Sequence, residues 1–122
     1  MTDTTNHETE LLVLGGGPGG YAAAFYAADQ GKEVLVVELE DQLGGVCLHR
    51  GCIPSKALLH ATHLLHQTES ASEFGIHFSK PKIDLAKLRQ WKNQTIQTLA
   101  QGIGSLAASR KVKVLKGRGY LE

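Results

Sequence analysis

The stretch Leu11–Glu38, LLVLGGGPGGYAAAFYAADQGKEVLVVE, decides the fold of this 122-residue chain. A short apolar run leads into the glycine-rich segment Gly15–Gly20, an alanine-rich stretch follows and stops at Gly31, and a second apolar run ends at Glu38. This order is typical of a strand, a tight turn, a helix and a second strand. Because the return between the strands is compact, we predict parallel strands with a right-handed crossover, and hence an α/β fold with a parallel sheet.

Three glycines in this stretch, Gly15, Gly17 and Gly20, have the spacing GxGxxG. In a dinucleotide-binding turn they allow a tight bend, close approach of the backbone to a pyrophosphate, and close packing of helix on strand. Glu38 follows about twenty residues later, where a carboxylate can bind a ribose, and it favours an unphosphorylated ribose such as that of FAD or NAD. The alternative is a glycine turn beside an ordinary surface glutamate.

The remaining elements follow from the apolar pattern. We predict a helical stretch from the cysteine segment to about Glu69, and a loop or short strand around Ile76 and Phe78. A long helix over residues 83–109, interrupted near Gly102 and Gly104, should precede a third strand over residues 112–115.

A second informative segment, Gly44–Lys56, reads GGVCLHRGCIPSK and places Cys47 and Cys52 five positions apart. A regular helix would hold their Cα atoms roughly 8.6 Å apart, whereas a disulfide needs about 4.4 to 6.8 Å. If the two are bridged, the backbone must depart from a straight helix. Gly51 and Pro54 are the residues that permit or mark such a departure.

The two cysteines suggest a redox pair. A thiolate near a helix N-terminus is stabilised by the backbone dipoles, and Lys56 lies one helical turn beyond Cys52. Because disulfide exchange needs one attacking thiol and one resolving thiol, we predict Cys47 as the substrate-exchanging thiol and Cys52 as the inner thiol beside a flavin. Two alternatives remain: two buried thiols, or a zinc site with His49, which lacks a fourth ligand at the usual spacing.

Composition excludes some partners. The net charge of +1 gives no reason to expect binding to nucleic acid or to an anionic membrane. The N-terminus has no signal-peptide pattern, and no apolar run approaches the roughly 20 residues of a membrane span, so we expect a cytoplasmic protein. We predict no metal site, because His60, His63 and His66 spread around a helix instead of sharing one face.

The segment Gly44–Lys56, with Gly15–Gly20 and Glu38, resembles the flavin disulfide reductases, which are class I pyridine nucleotide-disulfide oxidoreductases. The resemblance extends over the chain from about Glu10 and is strongest to the dihydrolipoyl dehydrogenase branch, as Leu48, Ile53 and Ser55 indicate. It implies a Rossmann-like FAD-binding domain, incomplete at its C-terminus. The residues that it implies for the ADP half of FAD are Gly15, Gly17, Gly20 and Glu38; those for the flavin side are Gly45, Val46, Cys52 and Lys56, with a backbone contact from Gly119.

The resemblance also implies an activity. Dihydrolipoamide would be oxidised to lipoamide through a Cys47–Cys52 disulfide and bound FAD, with NAD as co-substrate. The implied partners are the lipoyl groups of 2-oxo acid dehydrogenase complexes and a second subunit in a homodimer. A glutathione- or mercury-type reductase and a non-catalytic FAD-binding relic are the alternatives.

For the domain organisation we expect a disordered segment over residues 1–9. Residues 10–122 should form the N-terminal portion of the FAD-binding domain, without the NAD-binding and dimer-interface domains, so that the chain alone is inactive. The family usually carries Asn and Val at the positions of His49 and Arg50. We hypothesise that the charge of Arg50 lowers the pKa of Cys47, or that its side chain narrows the channel that a lipoyl arm must enter. The alternative is that His49 and Arg50 both project to solvent and change little.

Overall fold

The computed structural model describes residues 5–121. Its elements are β1 (Leu11–Leu14), α1 (Pro18–Asp29), β2 (Val34–Glu38), α2 (Gly45–Arg50), α3 (Cys52–Ser70), a 3₁₀ turn (Ala71–Phe74), α4 (Leu85–Ser109) and β3 (Lys113–Lys116). They form two compact units, one of residues 5–45 with 100–121 and the other of residues 46–99.

The first unit contains a three-stranded sheet in the order β1-β2-β3, and both strand pairs are parallel. In register, Val13 lies beside Val36, and Val36 lies beside Val114. Because β2 is the central strand, it is almost entirely buried, whereas every residue of the edge strand β3 is exposed. The predicted α/β fold with a parallel sheet is therefore confirmed.

The core of this unit lies on one face of the sheet. Side chains alternate between the two faces of a strand, so Val34 and Val36 point to the same side. The residues of this core are Ala24, Val34, Val36, Leu43, Ala107 and Val112. Ala24, on α1, is fully buried, and its small side chain lets the helix approach the sheet closely. Leu12 and Leu14, which alternate with the inward residues of β1, are about half exposed.

In the second half, one of two alternative expectations is confirmed and another expectation is wrong. Of the two alternatives for the region around Ile76 and Phe78, the loop is correct, and both side chains are exposed. The predicted interruption of the long helix is wrong: α4 continues through Gly102 and Gly104. An isolated glycine costs only about 1 kcal/mol in a helix, which neighbouring turns can offset.

The start of α4 is fixed by a side-chain cap. The Asp84 carboxylate accepts hydrogen bonds from the backbone N–H groups of Ala86 (3.0 Å) and Lys87 (3.1 Å). These two groups have no partner inside the helix, so the cap satisfies donors that would otherwise be left to water. The helix therefore begins at Leu85 and not at residue 83.

The expected disorder of residues 1–9 falls partly outside the described residues, which begin at residue 5. Residues 5–9 are neither helix nor strand, but the Thr9 hydroxyl donates a hydrogen bond to the Glu33 carbonyl at 2.8 Å. Within residues 5–121, no helix combines the length and the apolar character that crossing a bilayer requires.

Helices α1 and α4 end in the same hydrogen-bonded motif but with different residues at its left-handed position. After α1, the left-handed residue is Gly31 (φ +82°), and its N–H donates to the Ala28 carbonyl. After α4, it is Lys111 (φ +57°), whose N–H donates to the Ala108 carbonyl while Val112 donates to Ala107. A left-handed conformation costs a residue with a Cβ atom about 1 to 2 kcal/mol.

We predict that Lys111→Gly stabilises the protein by about 1 kcal/mol, because glycine adopts this conformation without the steric cost. The measurement is the midpoint of urea unfolding. Lys113→Gly, the same change inside strand β3, is the matched control and should lower the midpoint. If Lys111→Gly lowers the midpoint as Lys113→Gly does, the left-handed conformation carries no cost here.

Candidate functional site

The glycine loop between β1 and α1 is a tight turn. Gly15 has φ +93°, a left-handed conformation, and its N–H donates to the Val37 carbonyl at 2.8 Å. A Cβ atom on Gly20 would lie only 1.8 Å from the carbonyl oxygen of Gly15, so no larger residue fits there without moving the backbone. These are the turn and the close helix–strand packing that the spacing predicts for the two glycines.

Gly17 lies beside a second glycine of the first unit, Gly45. A Cβ atom on Gly17 would be in ordinary contact with Gly45, 3.8 Å from its Cα atom. Gly45 is the more constrained partner: its φ is +62°, and its Cβ atom would lie 2.7 Å from the Cα atom of Gly17. The family resemblance implies that Gly45 lies on the flavin side of FAD, and within this unit its lack of a Cβ atom also lets the chain pass close to the glycine loop.

The first turn of α1 has hydrogen-bond donors available for an anion. Pro18 has no N–H group, and within residues 5–121 the N–H groups of Gly17, Gly19 and Gly20 make no hydrogen bond. The first turn contains no acidic residue, and no side chain caps it. Three free donors at the positive end of a twelve-residue helix fit a pyrophosphate group, so the loop suits the diphosphate of a dinucleotide.

Glu38 ends β2 beside this loop, as the sequence predicts, and is only 7% exposed. Its Oε2 atom accepts a hydrogen bond from the Gly16 N–H at 2.6 Å, and its Oε1 atom accepts one from the Glu40 N–H at 2.9 Å. A carboxylate has about four lone-pair sites, so acceptor capacity remains for a ribose hydroxyl. Sequence reasoning missed Gly16, because the GxGxxG spacing does not require a glycine there.

Gly119 lies at the same edge of the sheet. It follows β3, and a Cβ atom on it would lie 2.6 Å from a methyl group of Leu14, the last residue of β1. Parallel strands present their carboxyl ends at one edge, where nucleotides bind in such sheets. The predicted residues that the first unit contains are Gly15, Gly17, Gly20, Glu38, Gly45 and Gly119. The second unit contains Val46, Cys47, Cys52 and Lys56.

The backbone breaks between the two cysteines, as their spacing predicts. Helix α2 ends at Arg50 and α3 begins at Cys52, with Gly51 between them. A Cβ atom on Gly51 would lie 3.1 Å from the carbonyl oxygen of Val46 and 3.4 Å from the Cα atom of Cys47. The absence of a side chain at this point therefore lets the two segments approach. Pro54 lies in the first turn of α3, where proline is tolerated.

The two cysteines are free thiols that interact with one another, with Cys47 half-buried and Cys52 exposed. A hydrogen bond with the Cys52 side chain raises the pKa of Cys47, and burial and the charge of Cys52 act in the same direction. A hydrogen bond with the Cys52 backbone and the charge of Lys56 oppose this shift but do not reverse it. Cys47 therefore holds its proton more strongly than an ordinary thiol.

This direction corrects the expectation for Arg50. The hypothesis was that the charge of Arg50 lowers the pKa of Cys47, but the pKa is raised, and the cation that opposes the rise is Lys56. The interaction with Cys52 is the largest contribution because the two sulfur groups are in direct contact, whereas a cation on an exposed side chain is screened by water.

The histidines of α3 are surface residues. His60, His63 and His66 are exposed, together with Lys56, and the rings of His60 and Trp91 are 6.4 Å apart. His66 lies 3.8 Å from the Glu69 carboxylate, a weak and solvated contact. Across the described part of the chain, no group of three or more His, Cys, Asp or Glu side chains is placed to hold a metal ion.

We predict that Cys52→Ala lowers the pKa of Cys47, because it removes the side-chain hydrogen bond that is the largest cause of the rise. Alkylation of Cys47 by iodoacetamide, followed by peptide mass spectrometry against pH, should then begin at lower pH than in the reduced wild-type chain. Ser55→Ala is the control, because within residues 5–121 the hydrogen bond of the Ser55 hydroxyl goes to the Cys52 carbonyl (3.1 Å) and leaves the thiols unchanged. An unchanged profile in Cys52→Ala would contradict this account.

We also predict that Gly51→Ala makes a Cys47–Cys52 disulfide easier to reduce. The new methyl group meets the Val46 carbonyl at 3.1 Å and pushes the two segments apart. A shift of about 30 mV, or tenfold in the disulfide equilibrium, is expected in glutathione buffers. Gly102→Ala is the control, because a Cβ atom there meets nothing within 4 Å. Equal potentials for wild type and Gly51→Ala would show that the close approach is unimportant.

Comparisons with known proteins identify the family of this chain. A family model described as pyridine nucleotide-disulphide oxidoreductase matches residues 9–122. The chain is 46% identical over 112 residues to a dihydrolipoyl dehydrogenase of Vibrio cholerae, covering 92% of this chain and 24% of that protein. It is 47% identical over 113 residues to a dihydrolipoyl dehydrogenase of Geobacillus stearothermophilus, covering 93% of this chain and 24% of that protein.

A dihydrolipoyl dehydrogenase of Buchnera aphidicola subsp. Schizaphis graminum is 42% identical over 111 residues, which is 91% of this chain and 23% of that protein. The chain thus spans about a quarter of the length of the curated relatives it matches. The family match extends over nearly the whole chain and includes the glycine loop and both cysteines. The chain belongs to the pyridine nucleotide-disulphide oxidoreductase family.

Proposed function

We propose that this chain supplies the FAD-binding loop and the redox-active cysteine pair of a dihydrolipoyl dehydrogenase. The observation that carries the proposal is the direct interaction of Cys47 with Cys52 across the break at Gly51, in a chain whose relatives bear that name. The reaction is the oxidation of dihydrolipoamide to lipoamide, with the electrons passed to NAD. Because the chain matches about a quarter of those relatives, the regions that it does not match would supply the remaining steps.

In the first half of the reaction, a thiolate of dihydrolipoamide attacks Cys47 in the Cys47–Cys52 disulfide. A mixed disulfide with Cys47 forms, and the sulfur of Cys52 leaves as a thiolate. The second substrate thiol then attacks the substrate sulfur of the mixed disulfide, closes the ring of lipoamide and releases Cys47. The substrate loses two electrons and two protons. The cysteine pair gains both electrons, Cys47 takes up one proton, and solvent takes up the other.

The raised pKa of Cys47 distinguishes the roles of the two sulfurs. Once released, Cys47 takes up a proton readily, because its hydrogen bond with Cys52 favours the thiol form. Cys52 is then the sulfur from which electrons leave the pair. This supports the assignment of Cys47 as the substrate-exchanging thiol and of Cys52 as the thiol beside the flavin.

The proposed FAD-binding residues contact different parts of the cofactor. Gly15, Gly17 and Gly20 suit the diphosphate, Glu38 the ribose, and Gly119 a backbone contact. Gly45, Val46, Cys52 and Lys56 would lie beside the flavin ring. When bound, FAD would supply a two-electron acceptor for the cysteine pair.

The proposed partners follow from the reaction. Lipoyl groups of 2-oxo acid dehydrogenase complexes would carry the substrate dithiol, and the complete enzyme would be a cytoplasmic homodimer. These assignments rest on the family and on the cysteine pair.

The nucleotide part of the proposal is tested with two glycine-to-alanine variants, one in the glycine loop and one in α4. Gly20→Ala should abolish FAD binding, because its methyl group would meet the Gly15 carbonyl oxygen at 1.8 Å. Gly102→Ala, on α4, whose methyl group meets nothing within 4 Å, should bind FAD as the wild type does. Quenching of flavin fluorescence measures both. A wild-type chain that leaves the fluorescence unchanged, or equal binding by the two variants, would contradict the proposed loop function.

The redox part is tested by reduction of the oxidised chain with dihydrolipoamide. We expect two new thiols per chain and one lipoamide, detected by mass spectrometry after alkylation. Cys47→Ser should abolish the reaction. In the protein that carries this chain, dihydrolipoamide should reduce NAD when FAD is bound. If the protein instead reduces glutathione disulfide with NADPH and does not reduce NAD with dihydrolipoamide, the assignment as a dihydrolipoyl dehydrogenase is overturned.

A further inference from the structure

Gly16 makes contacts that the GxGxxG spacing does not predict. Its N–H donates to Oε2 of Glu38 at 2.6 Å, a short hydrogen bond to a carboxylate that is 7% exposed. Its carbonyl accepts a hydrogen bond from the N–H of Gly44 at 2.8 Å. Hydrogen bonds to ionised groups are roughly twice as strong as neutral ones, and water reaches this one poorly. The N–H group and the carbonyl group of Gly16 are therefore both hydrogen-bonded within the protein.

The Cα side of Gly16 is equally constrained. A Cβ atom there would lie 2.3 Å from a methyl group of Leu43 and 2.9 Å from Oε2 of Glu38. Leu43 is itself buried, at 5% exposure, and belongs to the core. The glycine at this position is required by the approach of two buried side chains, and not by a turn.

These contacts divide the amides of the loop into two groups. The N–H groups of Gly15 and Gly16 point into the protein, to Val37 and Glu38. Those of Gly17, Gly19 and Gly20 make no hydrogen bond within residues 5–121 and are the donors left for a phosphate. The Glu38 carboxylate thus fixes the orientation of the peptide immediately before these donors.

We propose that Glu38 is a positioning residue for the glycine loop, in addition to the ribose contact expected of it. The buried carboxylate holds Gly16 and so orders the phosphate donors before a nucleotide arrives. Preorganisation of this kind raises affinity because less conformational freedom is lost on binding. The inference rests on the proposed nucleotide site, but the Gly16 contact exists without a ligand and is measured separately.

The hydrogen bond from the Gly16 N–H to the Glu38 carboxylate is called the anchor below. Amide hydrogen exchange of the nucleotide-free chain, measured by NMR, tests whether it holds Gly16. In the wild type, the Gly16 N–H should be protected and the Gly19 N–H unprotected. Glu38→Met, which removes both acceptor atoms at similar length, should speed exchange at Gly16 and Glu40 by about tenfold. Glu38→Gln retains one acceptor oxygen, so only one of the two amides should lose protection. Glu33→Met, the same change just before the same strand, is the control.

Inorganic pyrophosphate separates the anchor from the ribose contact, because it has no ribose. Removing a negative charge favours an anion, so a ribose-only role for Glu38 predicts equal or tighter pyrophosphate binding in Glu38→Met. The positioning role predicts about tenfold weaker binding, followed through the amide shifts of Gly17, Gly19 and Gly20.

Unchanged exchange at Gly16 in Glu38→Met, or exchange at Gly16 as fast as at Gly19 in the wild type, would overturn the anchor. The wild-type comparison decides the question even where the variant does not fold. Protection that depends on Glu38 in a chain that binds neither pyrophosphate nor ADP would support the anchor and refute the proposed nucleotide site. Loss of ADP binding in Glu38→Met, with unchanged exchange at Gly16, would refute the anchor and support the proposed nucleotide site.

Discussion

The Glu38 carboxylate is the contact on which the first unit depends. It lies at the end of the central strand, is buried, and accepts hydrogen bonds from the backbone at Gly16 and Glu40. The backbone carbonyl of Glu38 accepts another from Gly117, just after β3. One residue therefore joins the central strand to the glycine loop and to the segment after the third strand. A buried charge is costly unless it is hydrogen-bonded, so conformations that lose these bonds are disfavoured.

The cysteine pair depends on a different kind of constraint, the space left by a missing side chain. Two short-range requirements conflict in this segment: a helix separates residues five apart, and disulfide chemistry brings them together. Gly51 resolves the conflict, because its lack of a Cβ atom allows the segments on either side to approach. The helix that follows begins at Cys52 and extends for 19 residues, so the second sulfur is attached to a long regular element.

The same chemistry explains why the exposure of the two cysteines is a poor guide to their roles. Cys52 is the more exposed of the two, and the pKa of Cys47 is raised by its hydrogen bond with the Cys52 side chain and by burial. Reactivity in such a pair depends on which sulfur keeps the proton, and hence on contacts between the side chains more than on access from solvent.

The sequence by itself determined the parallel sheet, the first helix, the glycine turn, the acid at the end of β2 and the break between the cysteines. Each depends on residues close in sequence: apolar periodicity, glycine conformation and the fixed reach of a helix. The tertiary structure alone decided why Gly16 must be glycine, since Leu43 and Glu38 reach it from distant positions in the sequence. It also decided the direction of the Cys47 pKa and the contact of Gly45 with Gly17, because burial and contact distance are properties of the folded chain.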